Sequence, residues 1–319
     1  MPSPEHNIRS GTPILSVDQL SVSYGKHRAL HGLSLDIKPG ELVGVIGPNG
    51  AGKTSFIKAL CGRLDISGKI AINGTQLKRG MDRRRSIALV PQDIGLYPHL
   101  TATENLDVIG RLLGLSDREI INTALKSVDM VKHADVRVSA MSGGMKRRIN
   151  VAAAVLTDPS LIIFDEPTAG VDVPARDTLH RLARHLTKQG KAVILVTHEL
   201  EQAEALCDKV LVLCEGKKLA FDTPSRLLQN AFQDQREIRI RFAVPPNRDM
   251  LEAMHPFEFK QDELPTIWST MTNANEVSFV SAFMTSLRGG GDLLREISVR
   301  RPGLTALMHR IEQTSRASS

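Results

Sequence analysis

Residues Gly47-Pro-Asn-Gly-Ala-Gly-Lys53-Thr54 constrain this chain more than any other stretch. They fit the spacing G-x-x-x-x-G-K-[ST], directly after the apolar run Glu41-Leu-Val-Gly-Val-Ile46 and directly before a helical stretch over 54–61. A buried strand, a glycine turn and a helix start must therefore follow one another without a break. The glycines leave room for backbone N–H groups to face a polyphosphate, and the helix N-terminus adds partial positive charge. Lys53 can then reach the β- and γ-phosphates, and the Thr54 hydroxyl can ligate Mg²⁺.

The rest of the first 230 residues fits that unit. Ile87–Val90, Leu161–Phe164 and Ala192–Val196 are further short apolar runs, as in parallel strands covered on both faces. Helical patterns lie between them: Thr101-x-x-Glu104 and Ser116-x-x-Glu119 are capping-box starts, and Gly190 ends another helix. Residues 14–37 alternate and carry turn residues, which predicts a small antiparallel β layer. The expected class is α/β: a parallel-sheet core with an antiparallel layer and a helical subdomain.

Two further stretches carry chemistry. Leu161-Ile-Ile-Phe-Asp165-Glu166 is a strand ending in carboxylates, which suits Asp165 to a Mg²⁺ shell and Glu166 to general-base work on an attacking water. Ser142-Gly143-Gly144 is a turn feeding a helix, a second place for an anion or simply an N-cap.

The net charge of +6 lies wholly in residues 1–230, because the remainder holds 11 basic and 11 acidic residues. That remainder also holds Trp268 and six of the nine Phe, so a boundary is expected near Asn230. A short helix is expected over 223–230, before that boundary, and the remainder then starts with Arg236–Val244, which alternates strictly as a half-buried strand does. A helix is expected over 304–313, completing a small α+β domain over 231–319, while 1–13 reads as a flexible N-terminus. No apolar run approaches the length of a membrane span, and the first residues do not read as a secretory signal. Three cysteines without a C-x-x-C pair suggest free thiols in a reducing compartment and no zinc site. The clusters Lys78-Arg79 with Arg83-Arg84-Arg85, and Lys146-Arg147-Arg148, read as solvated or membrane-facing surface; a nucleic-acid site is conceivable, but no aromatic interleaves with them to stack on bases.

Taken in order, these motifs resemble the nucleotide-binding subunit of an ATP-binding cassette (ABC) transporter, over residues 14–230. Gly47 to Thr54 looks like the Walker A loop, Leu161 to Glu166 the Walker B strand, and Met141-Ser-Gly-Gly-Met145 the family signature. Gln92 resembles the Q-loop glutamine, Ala169-Gly-Val-Asp172 the D-loop, His198 the switch histidine, and Tyr24 the aromatic that stacks on adenine. The resemblance implies the cofactors ATP and Mg²⁺. It assigns nucleotide binding to Tyr24, Gly47, Pro48, Asn49, Gly50, Ala51, Gly52, Lys53, Thr54, Ser55, Ser142, Gly143, Gly144 and Asp172. Thr54, Gln92 and Asp165 would hold the metal, and Glu166, His198 and Gln92 would act in hydrolysis.

The signature departs from the usual Leu-Ser-Gly-Gly-Gln at both outer places, and the Met145 side chain cannot donate the amide hydrogen bond that Gln would offer the nucleotide. The variant Ser-Gly-Gly-Met-Lys-Arg-Arg resembles the branch that exports drugs, haem or lipo-oligosaccharides, including nodulation-factor exporters. The resemblance therefore implies a homodimeric ATPase, peripheral on the cytoplasmic face of the inner or plasma membrane. It would energise export through a separate integral-membrane permease, with no nucleic-acid partner. Ile94, Leu96 and Tyr97 form an apolar patch that either meets that permease, as the resemblance implies, or anchors its own loop. Ribosome- or DNA-directed cassettes and importer ATPases are the alternatives. The first carries paired cassettes or a long coiled-coil insertion, and the second a compact β tail.

Overall fold

The structure, a computed structural model, describes residues 12–78, 83, 85–115, 117–168, 173–262, 264–287 and 290–317. The chain divides into two compact units, Met1–Pro224 and Ser225–Ser319.

The first unit opens with β1 (Leu15–Tyr24) and β2 (His27–Ile37), then β3 (Leu42–Ile46) and α1 (Lys53–Leu60). Strands β4 (Ile66–Ile72), β5 (Thr75–Gln76) and β6 (Ile87–Val90) follow, then helices α2 (Ala102–Leu112), α3 (Arg118–Ser127) and α4 (Gly143–Val155). The unit closes with β7 (Leu161–Asp165), α5 (Val173–Lys188), β8 (Ala192–Val196), α6 (Leu200–Leu206), β9 (Lys209–Cys214) and β10 (Lys217–Asp222).

Two sheets result. The antiparallel layer has the order β2-β1-β4-β5, and the central sheet β10-β9-β3-β8-β7-β6. In the central sheet β9, β3, β8, β7 and β6 run parallel, with β10 antiparallel at one edge. Every residue of β3 and β8 is buried, as their unbroken apolar runs require. One core joins the layers: Leu20 and Leu33 of the antiparallel layer, Phe56 of α1, and Val43, Ile163, Ile194 and Leu211 of the central sheet. Such burial supplies most of the driving force for the unit, at roughly 25 cal/mol per Å² of apolar surface.

The order β9-β3-β8-β7 places the carboxyl ends of β3, β8 and β7 side by side. Parallel α/β sheets bind ligands at such ends. Strands β9 and β10 were not foreseen as elements in the sequence. Their hairpin turn, Glu215-Gly216, has φ of +49° and +73°, the positive pair that a tight two-residue turn demands.

Helices α2, α3 and α4 pack on one another as the helical subdomain. Thr101 and Glu104 form the expected reciprocal capping box at the start of α2. At α3 the cap is Asp117, whose carboxylate accepts from Glu119 N at 2.8 Å. The capping box expected from Ser116 therefore gives way to an aspartate cap one residue later, and Ser116 itself lies outside the described residues. An aspartate ranks with serine as an N-cap, and its negative charge suits the helix N-terminus.

The second unit contains α7 (Pro224–Phe232), β11 (Arg236–Phe242), α8 (Arg248–Met254), β12 (Lys260–Gln261), β13 (Ile267–Thr272), α9 (Glu276–Ser286), β14 (Leu294–Arg300) and α10 (Leu304–Ala317). Its antiparallel sheet has the order β12-β13-β11-β14. Ile238, Ile240 and Phe242 of β11 face a core with Met250, Met254 and Phe283. Phe257, Phe259, Phe279 and Phe283 meet there largely edge to face, which explains the aromatic enrichment of this segment. The strand is central, so its other face is not simply solvated. Glu237 is 5% exposed and takes two bonds from Arg300, at 3.0 and 3.2 Å.

Candidate active site

The phosphate loop leaves the carboxyl end of β3 and returns into α1. Gly47 has φ of +154°, and a Cβ there would lie 2.2 Å from the carbonyl oxygen of Leu213. Gly52, the N-cap of α1, has φ of +102° and meets Ala29 O and Leu30 Cδ2 at 2.8 Å in the same sense. The two glycines are thus required both by conformation and by the close passage of neighbouring strands. Gly50, by contrast, faces open space.

Lys53 folds back over this loop. Its Nζ donates to Gly47 O at 2.6 Å and to Pro48 O at 3.0 Å, which draws the loop closed around the ammonium group. Burial pushes the Lys53 pKa down, opposed by the charges of Glu166 and Asp165. Asp165, at the end of β7, shows the opposite shift: burial, then the charge of Glu166, push its pKa up, and Lys53 opposes. Lys53 and Asp165 attract one another, yet desolvation outweighs attraction for each. A site with poorly compensated charge of both signs is suited to a charged ligand that brings its own counter-charges.

Glu166 follows directly and has φ of +47°. A left-handed glutamate costs roughly 1–2 kcal/mol, which the surrounding bonds must offset. Its N–H donates to Val196 O at 2.9 Å, fastening the turn to the end of β8. Two residues beyond that strand, His198 brings Nδ1 to 3.5 Å from Glu166 Oε2. The histidine side chain is 64% exposed and the glutamate 28%, so both can reach a ligand at the strand ends. Tyr24, 45% exposed, has its hydroxyl 3.4 Å from Ser55 Oγ in the first turn of α1.

A second group forms around the start of α4. Ser142 is the N-cap of α4, its Oγ accepting from Met145 N at 3.3 Å, so it caps its own helix with the oxygen that could bind an anion. Gly144 is needed for packing as well, since a Cβ there would lie 2.7 Å from Ala175 Cβ. Gln92 is exposed after β6, and its backbone oxygen accepts from Arg147 Nη1 of α4. Arg147 donates to Pro91 O as well, at 3.1 Å. No hydrogen bond or ion pair among the described residues joins Gln92 or Ser142–Gly144 to Lys53, Asp165, Glu166 or His198. Asp172 lies outside the described residues.

Two expectations need correction. Arg147 is 6% exposed and Arg83 8%, so these members of the basic clusters are structural rather than solvated. Arg83 caps the end of α1, donating to Ala59 O at 2.8 Å and Leu60 O at 3.0 Å. A guanidinium can bury its stem and satisfy several carbonyls at once, which a count of charges does not reveal. Similarly, Leu96 is an anchor, 9% exposed, and Tyr97 alone of the expected patch is openly exposed, at 46%. Buried Asn105 fixes that loop by bonding both the N–H and the carbonyl of Tyr97.

A phosphate loop beside a strand-end Asp-Glu pair, on a parallel sheet, defines a P-loop ATPase. The ABC transporter family profile matches residues 30–169. The Nod factor export ATP-binding protein I of Paraburkholderia xenovorans is 40% identical over 219 residues, 67% of this chain and 72% of that one. The linearmycin resistance ATP-binding protein LnrL of Bacillus subtilis is 37% identical over 219 residues, 67% and 70% of the two chains. Among solved structures, cbiO1 of Clostridium perfringens, part of the ABC transporter complex cbiONQ, superposes with a TM-score of 0.64 at 27% identity, over 69% of this chain and 92% of that one. A dimeric post-hydrolysis state of the ATP-binding cassette MJ0796 with ADP and Pi gives 0.57 at 25% identity, over 66% and 98%. This chain belongs to the ABC transporter family, as an ATP-binding and ATP-hydrolysing subunit.

Proposed function

We propose that this chain is the ATPase subunit of a multi-subunit exporter whose channel is a separate integral-membrane permease. The observation that carries the reading is the meeting of Glu166 and His198 at the ends of β7 and β8, beside the Lys53 loop. The similarity to subunits named for Nod factor export and for linearmycin resistance supports export of a drug, lipid-linked or oligosaccharide-type molecule. Among the described residues no helix is long and apolar enough to cross a membrane, which suits a peripheral subunit on the cytoplasmic face.

In this reading Lys53 and the N–H groups of Gly50 to Thr54 hold the phosphates, and Tyr24 stacks on adenine. Glu166 takes the proton of the attacking water, and His198 orients that water against the γ-phosphate. Oxygen donors suit Mg²⁺, and Thr54, Gln92 and Asp165 offer them; the half-buried, undercompensated Asp165 fits a cation best. When bound, the ion neutralises phosphate charge. Two chains pack head to tail, so that Ser142–Gly144 of one complete the nucleotide site of the other. ATP then favours the closed pair and hydrolysis releases it. The second unit, from about residue 225, is an accessory domain for dimerisation or regulation.

Purification of the tagged chain from native membranes tests the transport assignment. Copurification of an integral-membrane protein that stimulates ATP hydrolysis is the expected result. Recovery with ribosomes or DNA instead would contradict it.

A further inference from the structure

Glu166 and His198 stand on two turns that leave the sheet together. The last pair of the β7–β8 ladder is Asp165 with Val196, and the bond from Glu166 N to Val196 O closes it. Beyond that point the sheet no longer sets the distance between the turns. One side chain bridges them. The Glu199 carboxylate accepts from Thr168 Oγ1 at 2.8 Å through Oε1, and pairs with Arg176 Nη1 at 3.2 Å through Oε2. Gln202 Nε2 donates to Oε2 as well, and Glu199 N donates to Thr197 Oγ1 at 3.0 Å.

Glu199 is the N-cap of α6, yet its side chain makes no cap bond to that helix. One oxygen of its carboxylate goes instead to Thr168 on the neighbouring turn. Thr168 and Thr197 are 3% and 2% exposed, so both ends of the bridge are anchored in the core. Thr168 lies two residues after Glu166, and Glu199 one residue after His198.

We infer that Glu199 is a positioning residue for hydrolysis, setting the separation of Glu166 and His198 by tying their turns together through Thr168, while Arg176 of α5 holds its other oxygen. This rests on the assignment of Glu166 and His198 to the hydrolytic step. It predicts that loss of the bridge leaves ATP binding intact and slows turnover.

The test measures steady-state ATP hydrolysis and nucleotide binding by the full chain. Glu199→Ala should lower kcat at least about tenfold, with KM for ATP and the melting temperature little changed. Glu199→Gln keeps an oxygen for Thr168 and should recover part of the loss. Thr168→Val should slow turnover by itself, and adding it to Glu199→Ala should cost little more, because both remove one link. If Glu199→Ala does not fold, Thr168→Val carries the same test. Unchanged kcat in Glu199→Ala, or equal losses of kcat and ATP affinity, would overturn the inference. Glu166→Gln serves as a separate arm: if it still hydrolyses ATP, the assignment beneath the inference fails, whatever the Glu199 variants do.

Discussion

His198 Nδ1 lies 3.5 Å from Glu166 Oε2, although the two residues come from different strands and Glu166 must hold a left-handed backbone to get there. The pairing gives the imidazole a role in placing the carboxylate as well as the water. His198→Ala should therefore lower kcat by about a hundredfold or more, the scale of one positioned acid–base group, while ATP still binds. Turnover measured beside nucleotide binding checks this.

Asp165 is held above its ordinary pKa, first by burial and then by the charge of Glu166. An acid whose folded pKa exceeds its unfolded value costs stability as pH rises from the unfolded value, 3.8, through the folded one. Asp165→Asn removes that cost. The variant should lose hydrolysis but melt at a higher temperature at neutral pH, and the gain should vanish below pH 3.8, where the wild-type carboxyl is neutral in both the folded and unfolded states. Melting curves across that range decide it.

Gly47 and Gly50 both have positive φ, but only Gly47 has a carbonyl in the way. Gly47→Ala should destabilise by more than the roughly 1–2 kcal/mol of left-handed strain, because Leu213 must also move. Gly50→Ala should cost about the strain alone. Denaturant midpoints of the two variants, compared side by side, give the answer.

Arg147 and Arg148 are neighbours in sequence with unlike surroundings. Arg147→Met leaves the carbonyls of Pro91 and Gln92 without their donor and should cost about 1–3 kcal/mol, with Gln92 no longer held against α4. Arg148 donates to the exposed carbonyl of Asp129 at 3.1 Å and pairs with its carboxylate at 3.9 Å, contacts that water can replace, so Arg148→Ala should cost under about 1 kcal/mol. Unfolding free energies distinguish them.

Local chemistry made much of the fold legible. The glycine loop required a strand before it and a helix after it, and the unbroken apolar runs required a sheet buried on both faces. What stayed hidden depends on long-range partners. Arg83 and Arg147 read as surface because charge counts cannot show that a helix end or a loop supplies carbonyls for them. Nothing in the sequence sets Glu199 apart, and only the meeting of β7 with β8 gives its carboxylate a second turn to hold. The β9–β10 hairpin was readable in principle, from Glu215-Gly216 between two strand-like runs.

The central claim is that Glu166 acts on water while the loop around Lys53 holds ATP. Single-turnover hydrolysis by Glu166→Gln, measured with its ATP affinity, tests it most directly. Near wild-type binding and almost no phosphate release are expected. Hydrolysis at the wild-type rate would contradict it.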